Sequence, residues 1–221
     1  MQEDRAGLRD QSVNPMGKRF WDRIAGFYDL AERTNKKAIA GAVRQAAALV
    51  PEGASVLDCA AGTGEFSLGM AGRAGTVLCT DLSQSMLDRA KDKAQKRGLT
   101  NLAFAVRDLT ALPDPDGAFD VVVAANVLHL LPEPEKALAE LWRVTAPGGK
   151  LILPTFLQGE AGAGFKLLIA LYKLLGFRPK YFFTLDSYAD FLRHCGLTAQ
   201  VTQVDGRLPV GFAVLSKLSE E

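Results

Sequence analysis

From about residue 54 to residue 156 the chain alternates short apolar runs with amphipathic stretches. Residues 54–59 (ASVLDC), 76–81 (TVLCTD), 102–108 (LAFAVRD), 119–126 (FDVVVAAN) and 150–156 (KLILPTF) are apolar and rich in β-branched residues. Each predicts a strand. Between them, residues 65–73, 83–96 and 134–144 carry apolar positions at helical spacing, with Ser83 as an N-cap and Gly98 as a C-terminal stop. Pro147-Gly148-Gly149 predicts a turn. Several of the strands are apolar on both faces, the pattern of a parallel sheet covered by helices on each side.

The flanks differ. Residues 16–30 place Phe20, Ile24 and Phe27 at helical spacing, and residues 35–49 predict a second helix stopped by Pro51. Residues 159–177 open as a Gly/Ala loop and continue as a very apolar helix. A helix over 186–195 ends at Gly196, and residues 197–204 and 208–218 read as a strand pair joined through Asp205-Gly206. A tight hairpin is antiparallel, so the sheet is expected to finish with one reversed strand. The fold expected is α/β and Rossmann-like: a seven-stranded, mostly parallel sheet with its last strand antiparallel, helices on both faces and a helical cap. Residues 16–221 read as one domain, with cap helices over 16–50 and a helical substrate lid over 159–185.

Composition narrows the field. The formal net charge of the 221 residues is +1, so no overall field calls for nucleic acid. The three cysteines, Cys59, Cys79 and Cys195, form no CxxC pair, and there are two histidines; no metal is expected. The first 15 residues are polar and expected to be disordered. With no signal-type core or membrane-length apolar stretch, the expected location is the cytoplasm.

The candidate chemistry sits where strands end. In VLDCAAGTGEFS, Gly62 and Gly64 follow the first strand and open a helix. A glycine turn there lets a ligand approach the backbone, and the helix N-terminus offers N–H groups. The second strand ends in Asp81, whose carboxylate can accept from both hydroxyls of a ribose. A dinucleotide fingerprint wants a third glycine, but Ser67 stands in its place. Asp58 at the loop entry would repel a diphosphate and suit a cationic amine; Glu65 points the same way. Asp108, ending the third strand, could accept from an adenine amino group. A NAD-dependent oxidoreductase is disfavoured on these grounds.

With these motifs in order, and with LWRVTAPGGKLIL after them, the chain resembles the class I S-adenosylmethionine-dependent methyltransferases over residues 16–157. It is most similar to the small-molecule branch that includes the ubiquinone/menaquinone C-methyltransferases; FWDRIAGFYD is like that group's N-terminal segment. The resemblance implies S-adenosylmethionine as cofactor. Asp58, Gly62, Thr63 and Gly64 would hold its methionine part, Asp81 and Leu82 the ribose, and Asp108 and Leu109 the adenine. Ala125 and Asn126 would flank the sulfonium, and Tyr28 would close over the carboxylate. His129 is the candidate base, with packing at the loop as its plainer reading. Where the quinone enzymes carry Arg-Asn-Val, this chain has Leu128-His129-Leu130-Leu131, so a quinone acceptor is not carried over. The expected reaction is in-line methyl transfer to a small apolar or aromatic acceptor. A non-catalytic cofactor-binding regulator is the alternative. The apolar helix within 159–177 reads either as packing on the sheet edge or on a second subunit of a homodimer, or as a lid over an apolar or aromatic substrate. Contact of its basic strip, Lys166, Lys173, Arg178 and Lys180, with an anionic membrane surface is a lesser reading.

Overall fold

The computed structural model describes Asp22, residues 35–160 and residues 180–219. Within them a seven-stranded sheet forms in the order β3-β2-β1-β4-β5-β7-β6. The strands are β1 (Ser55–Cys59), β2 (Thr76–Asp81), β3 (Leu102–Val106), β4 (Phe119–Ala124), β5 (Thr145–Phe156), β6 (Gln200–Val204) and β7 (Val210–Ser216). The pairs β1–β2, β2–β3, β1–β4 and β4–β5 are parallel. β7 runs antiparallel to both β5 and β6, so it is the single reversed strand. The helices are α1 (Lys36–Leu49), α2 (Glu65–Met70), α3 (Gln84–Lys96), α4 (Pro134–Val144) and α5 (Leu185–His194).

The two-residue side-chain period of the strands divides the core into two layers. Leu57, Val122, Ala124, Leu151 and Leu153 face α4 and α5, where Leu138, Leu141, Tyr188 and Leu192 are buried against them. Val56, Val77, Val121, Val123 and Ile152 face the other way, onto Ala38, Ala42 and Ala46 of α1 and onto Phe66 and Met70 of α2. The alanine face of α1 permits close approach. So does Gly69 of α2, where an added Cβ would lie 2.2 Å from Val43 Cγ1.

Several expected boundaries shift. β4 stops at Ala124 rather than residue 126, because Asn126 adopts φ +55°. β5 begins at Thr145, not Lys150: Thr145 already pairs with Phe119, and the register shifts before Val121 meets Lys150. The expected turn at 147–149 is therefore an irregularity within a strand. Gly149 is needed there, since a Cβ would lie 2.8 Å from the carbonyl oxygens of Ala146 and Asp120. α2 ends at Met70, three residues early. The β6–β7 connection is longer than a tight hairpin. The Asn35 side chain donates to the Leu208 carbonyl at 2.8 Å and accepts from its N–H at 3.2 Å, so that loop is shaped by α1 rather than by its own turn chemistry. The expected disordered residues 1–15, the helix over 16–30 and most of the lid over 159–185 lie outside the described residues.

Candidate active site

The chain runs outward from β1 to β2 and β3, then returns to place β4 on the other side of β1. The carboxyl ends of β1 and β4 therefore flank the point where strand order reverses, the usual ligand crevice of such sheets. Both tips carry non-glycine residues in the left-handed region, Ala60 at φ +51° and Asn126 at φ +55°. Backbone strain of this kind concentrates at functional sites.

The loop after β1 is held from three sides. Gly62 and Gly64 take φ +55° and +86°, values that favour glycine. A Cβ on Gly64 would also lie 2.9 Å from Ala90 Cβ of α3. The Ala61 N–H donates to the Thr80 carbonyl, and the Gly62 N–H donates to Asp81 Oδ2, each at 2.9 Å. From α3, Lys93 Nζ donates to Thr63 Oγ1 and to Glu65 Oε1, both at 2.9 Å. The Thr63 hydroxyl and the Glu65 carboxylate are thus engaged by Lys93.

Asp58 is fully buried on β1. Its Oδ2 accepts from the Ser67 N–H at 2.9 Å and from Ser67 Oγ at 2.6 Å. Its Oδ1 is buried with no partner. Burial pushes the carboxyl up to about 7, against the two Ser67 hydrogen bonds and with a further upward push from Asp81. Ser67, at the missing third glycine position, therefore satisfies one oxygen of Asp58 and leaves the other open. Asp81, also buried, gives its second oxygen to the Ser83 N–H at 2.9 Å. Burial raises its pKa, the Ser83 and Gly62 N–H groups oppose the rise, and Asp22 adds to it. Leu82 follows it, half-buried.

At the tip of β3, Asp108 folds back on itself: Oδ1 accepts from the Thr110 N–H at 2.9 Å and from its hydroxyl at 2.7 Å. Leu109 beside it is buried. Across the crevice the Asn126 N–H donates to the Pro154 carbonyl at 2.7 Å, tying the tip of β4 to β5. Asn126 Oδ1 is buried without a partner, and so is Oε1 of Gln158, just after β5. Ala125 packs against the α1 side of the core.

His129 lies in a short 3-10 turn, Leu128–Leu130, and is buried. Its Nδ1 is 3.3 Å from Thr155 Oγ1. Burial lowers its pKa to about 4, so the ring is neutral across the physiological range. Its carbonyl accepts from the N–H groups of Lys180 and Tyr181 at 2.8 and 3.3 Å, which fixes the start of an aromatic cluster of Tyr181, Phe183, Tyr188 and Phe191. Cys59 and Cys79 are buried free thiols raised by burial. Among the described residues no His/Cys/Asp/Glu group could hold a metal. Tyr28 lies outside the described residues.

Gly62 and Asp81, expected in one site from the sequence, are brought into direct contact. Ser67, Lys93 and Asp22 join the site without having been expected to line it. The sequence marked Ser67 only as the residue in the third glycine position, and Lys93 and Asp22 act through contacts distant in sequence.

Comparison with known proteins agrees with this architecture. Residues 57–153 match the family described as a methyltransferase domain. A demethylmenaquinone methyltransferase of Thermus thermophilus is 43% identical over 119 residues, 53% of this chain and 53% of its own. A 27-O-demethylrifamycin SV methyltransferase of Amycolatopsis mediterranei is 32% identical over 177 residues, 78% of this chain and 65% of its own. The chain spans about half to two thirds of the length of the curated relatives it matches. Among solved structures, a SAM-dependent methyltransferase from Aquifex aeolicus superposes with a TM-score of 0.63 at 22% identity, over 92% of this chain and 99% of that one. A chain of the complex between the Haloferax volcanii Trm112 methyltransferase activator and the putative methyltransferase gives 0.74 at 16% identity, over 92% and 98%. These two likenesses bear on the fold; in sequence, residues 57–153 of this chain match the methyltransferase domain family.

Proposed function

We propose that the chain transfers the methyl group of S-adenosylmethionine to a small, apolar or aromatic acceptor by in-line displacement. The observation that carries this reading is the left-handed glycine loop set between two buried carboxylates at the switch point, one of which has a buried oxygen without a partner. That oxygen, Asp58 Oδ1, suits an ammonium group, so the residues present fit the methionine part of the cofactor. When bound, S-adenosylmethionine supplies a methyl group already activated by its sulfonium, so the protein need not build a nucleophile of its own.

What the chain must supply is binding, alignment and exclusion of water. Asp58 and the backbone of Gly62, Thr63 and Gly64 hold the methionine end. Asp81, oriented by the Gly62 and Ser83 N–H groups, takes the ribose hydroxyls on its remaining lone pairs, with Leu82 alongside. Asp108 and the Leu109 backbone hold the adenine. Ala125 and Asn126 border the sulfonium side, and Tyr28 covers the carboxylate. His129, buried with its Nδ1 beside Thr155, is the candidate base; with its pKa near 4 it would serve only for an acceptor proton that is itself acidic, and otherwise would act as a neutral hydrogen-bonding group. Quinone-type rings join the acceptor screen because relatives carry the name demethylmenaquinone methyltransferase.

Calorimetric titration with S-adenosylmethionine and S-adenosylhomocysteine, with NAD as control, tests the reading. Micromolar binding of both adenosyl compounds is expected. Asp81→Ala should weaken it by roughly 10- to 100-fold, the worth of a hydrogen bond to a charged group. Binding of NAD in their place would overturn the assignment.

A further inference from the structure

Asp22 belongs to the N-terminal part of the chain, yet it reaches the edge where Asp81 sits. Its Oδ1 accepts a hydrogen bond from Ser83 Oγ, across 61 residues of sequence. Ser83 is fully buried and does three things at once. Its hydroxyl accepts from the Met86 N–H at 3.2 Å and so caps α3. The same hydroxyl donates to Asp22, and its N–H donates to Asp81 Oδ1. One small residue therefore carries a carboxylate on each side, Asp22 on its hydroxyl and Asp81 on its amide. The two acids are close enough for the charge of Asp22 to act on Asp81.

Asp81 is buried and Asp22 is partly buried beside it, so the two like charges repel. A purely structural contact between Asp22 and Ser83 would be made as well by a neutral acceptor without that repulsion. The buried Oδ1 of Asp58 has no protein partner, an independent sign that this edge is arranged for a ligand that brings donors and positive charge.

We propose that Asp22 is a second ribose-edge carboxylate, a positioning residue that grips Ser83 and so sets the orientation in which Asp81 meets the hydroxyls of the cofactor. This rests on the adenosyl-binding function proposed above and adds to it a residue from outside the matched domain. The donor that satisfies Asp81 is a vicinal diol, and recognition of that diol depends on Asp22 through Ser83. The repulsion that Asp22 exerts on Asp81 is offset when the ligand's hydroxyl protons reach Asp81 and its cationic groups stand nearby.

The test separates hydroxyl recognition from general stability. Adenosine, 2′,3′-dideoxyadenosine and S-adenosylhomocysteine are titrated calorimetrically into the full chain and into Asp22→Ala and Asp22→Asn. The wild type should prefer adenosine over its dideoxy form by at least tenfold. In Asp22→Ala that preference should fall by about fivefold or more, while dideoxyadenosine binds as before. Asp22→Asn, which keeps an acceptor for Ser83, should lie between the two, and it carries the test if thermal melting shows that Asp22→Ala does not fold. An unchanged preference in the folded variants overturns the inference and leaves the proposed function standing. Failure of the wild type to bind S-adenosylhomocysteine overturns the proposed function itself.

Discussion

Asp58 shows how one buried residue ties ligand binding to pH. Its folded-state pKa, raised to about 7, lies above the ordinary carboxylate value of 3.8. The folded state therefore favours the neutral carboxyl, and the unfolded chain binds fewer protons between those values. The corresponding stability is fully present below about pH 4 and is lost as pH rises through 7. Between pH 5.5 and 8 the ligand-free protein should lose about 2 kcal/mol from this group. In Asp58→Asn that slope should vanish. Urea unfolding of both proteins at the two pH values measures it, and parallel slopes would refute the assignment. A cationic ligand reverses the balance by favouring the carboxylate. Binding of S-adenosylhomocysteine near pH 6.5 should then release protons, visible as a dependence of calorimetric enthalpy on the ionisation enthalpy of the buffer.

At the scale of elements, the site depends on how closely helices can lie on the sheet and on each other. α1 and α2 touch at Val43 and Gly69, where an added Cβ would come within 2.2 Å of a β-branched side chain. Such a side chain is stiff at χ1 and cannot swing away. Gly69→Ala should therefore cost about 1–3 kcal/mol by overpacking. Val43→Ala in the same chain should recover most of it, a coupling that a double-mutant cycle in thermal or chemical unfolding would detect. Additive effects would place the strain elsewhere. The glycine spacing was legible in the sequence as a loop signal, but the packing role of Gly69 was not, because its neighbour belongs to a helix that precedes β1. The strand ends illustrate the same division. Apolar runs located β1 to β5, whereas the early end of β4 at Asn126 and the early start of β5 at Thr145 follow from pairing between strands.

Across the whole molecule, residues far apart in sequence fasten the termini of the sheet. The Asn35 side chain mimics a backbone partner for Leu208, with one bond to its carbonyl and one from its N–H, both buried. Asn35→Ala would leave two backbone groups unsatisfied, at a cost of about 2–4 kcal/mol. Chemical denaturation would show this as a lowered midpoint with an unchanged slope; a change under about 0.5 kcal/mol would mean that solvent replaces the side chain. Lys217 plays a similar part at the other end of β7, where its ammonium donates to the carbonyls of Trp142, Arg143 and Thr145 and closes the C-terminus of α4. No helix among the described residues is long and apolar enough to cross a membrane.

The order of strands and helices, the two-sided burial of the sheet and the place of Asp58, Gly62, Gly64 and Asp81 were determined by the sequence alone. All of these rest on local periodicity and on φ preferences that a few neighbouring residues impose. Other features were decided by the tertiary structure: Ser67 as the partner of Asp58, the engagement of Thr63 and Glu65 by Lys93, the neutral state of His129 and the meeting of Asp22 with Asp81 across Ser83. The reason is physical. Hydrogen-bond partners and burial depend on which distant segments share a volume, and no local pattern of hydrophobic and polar positions encodes that.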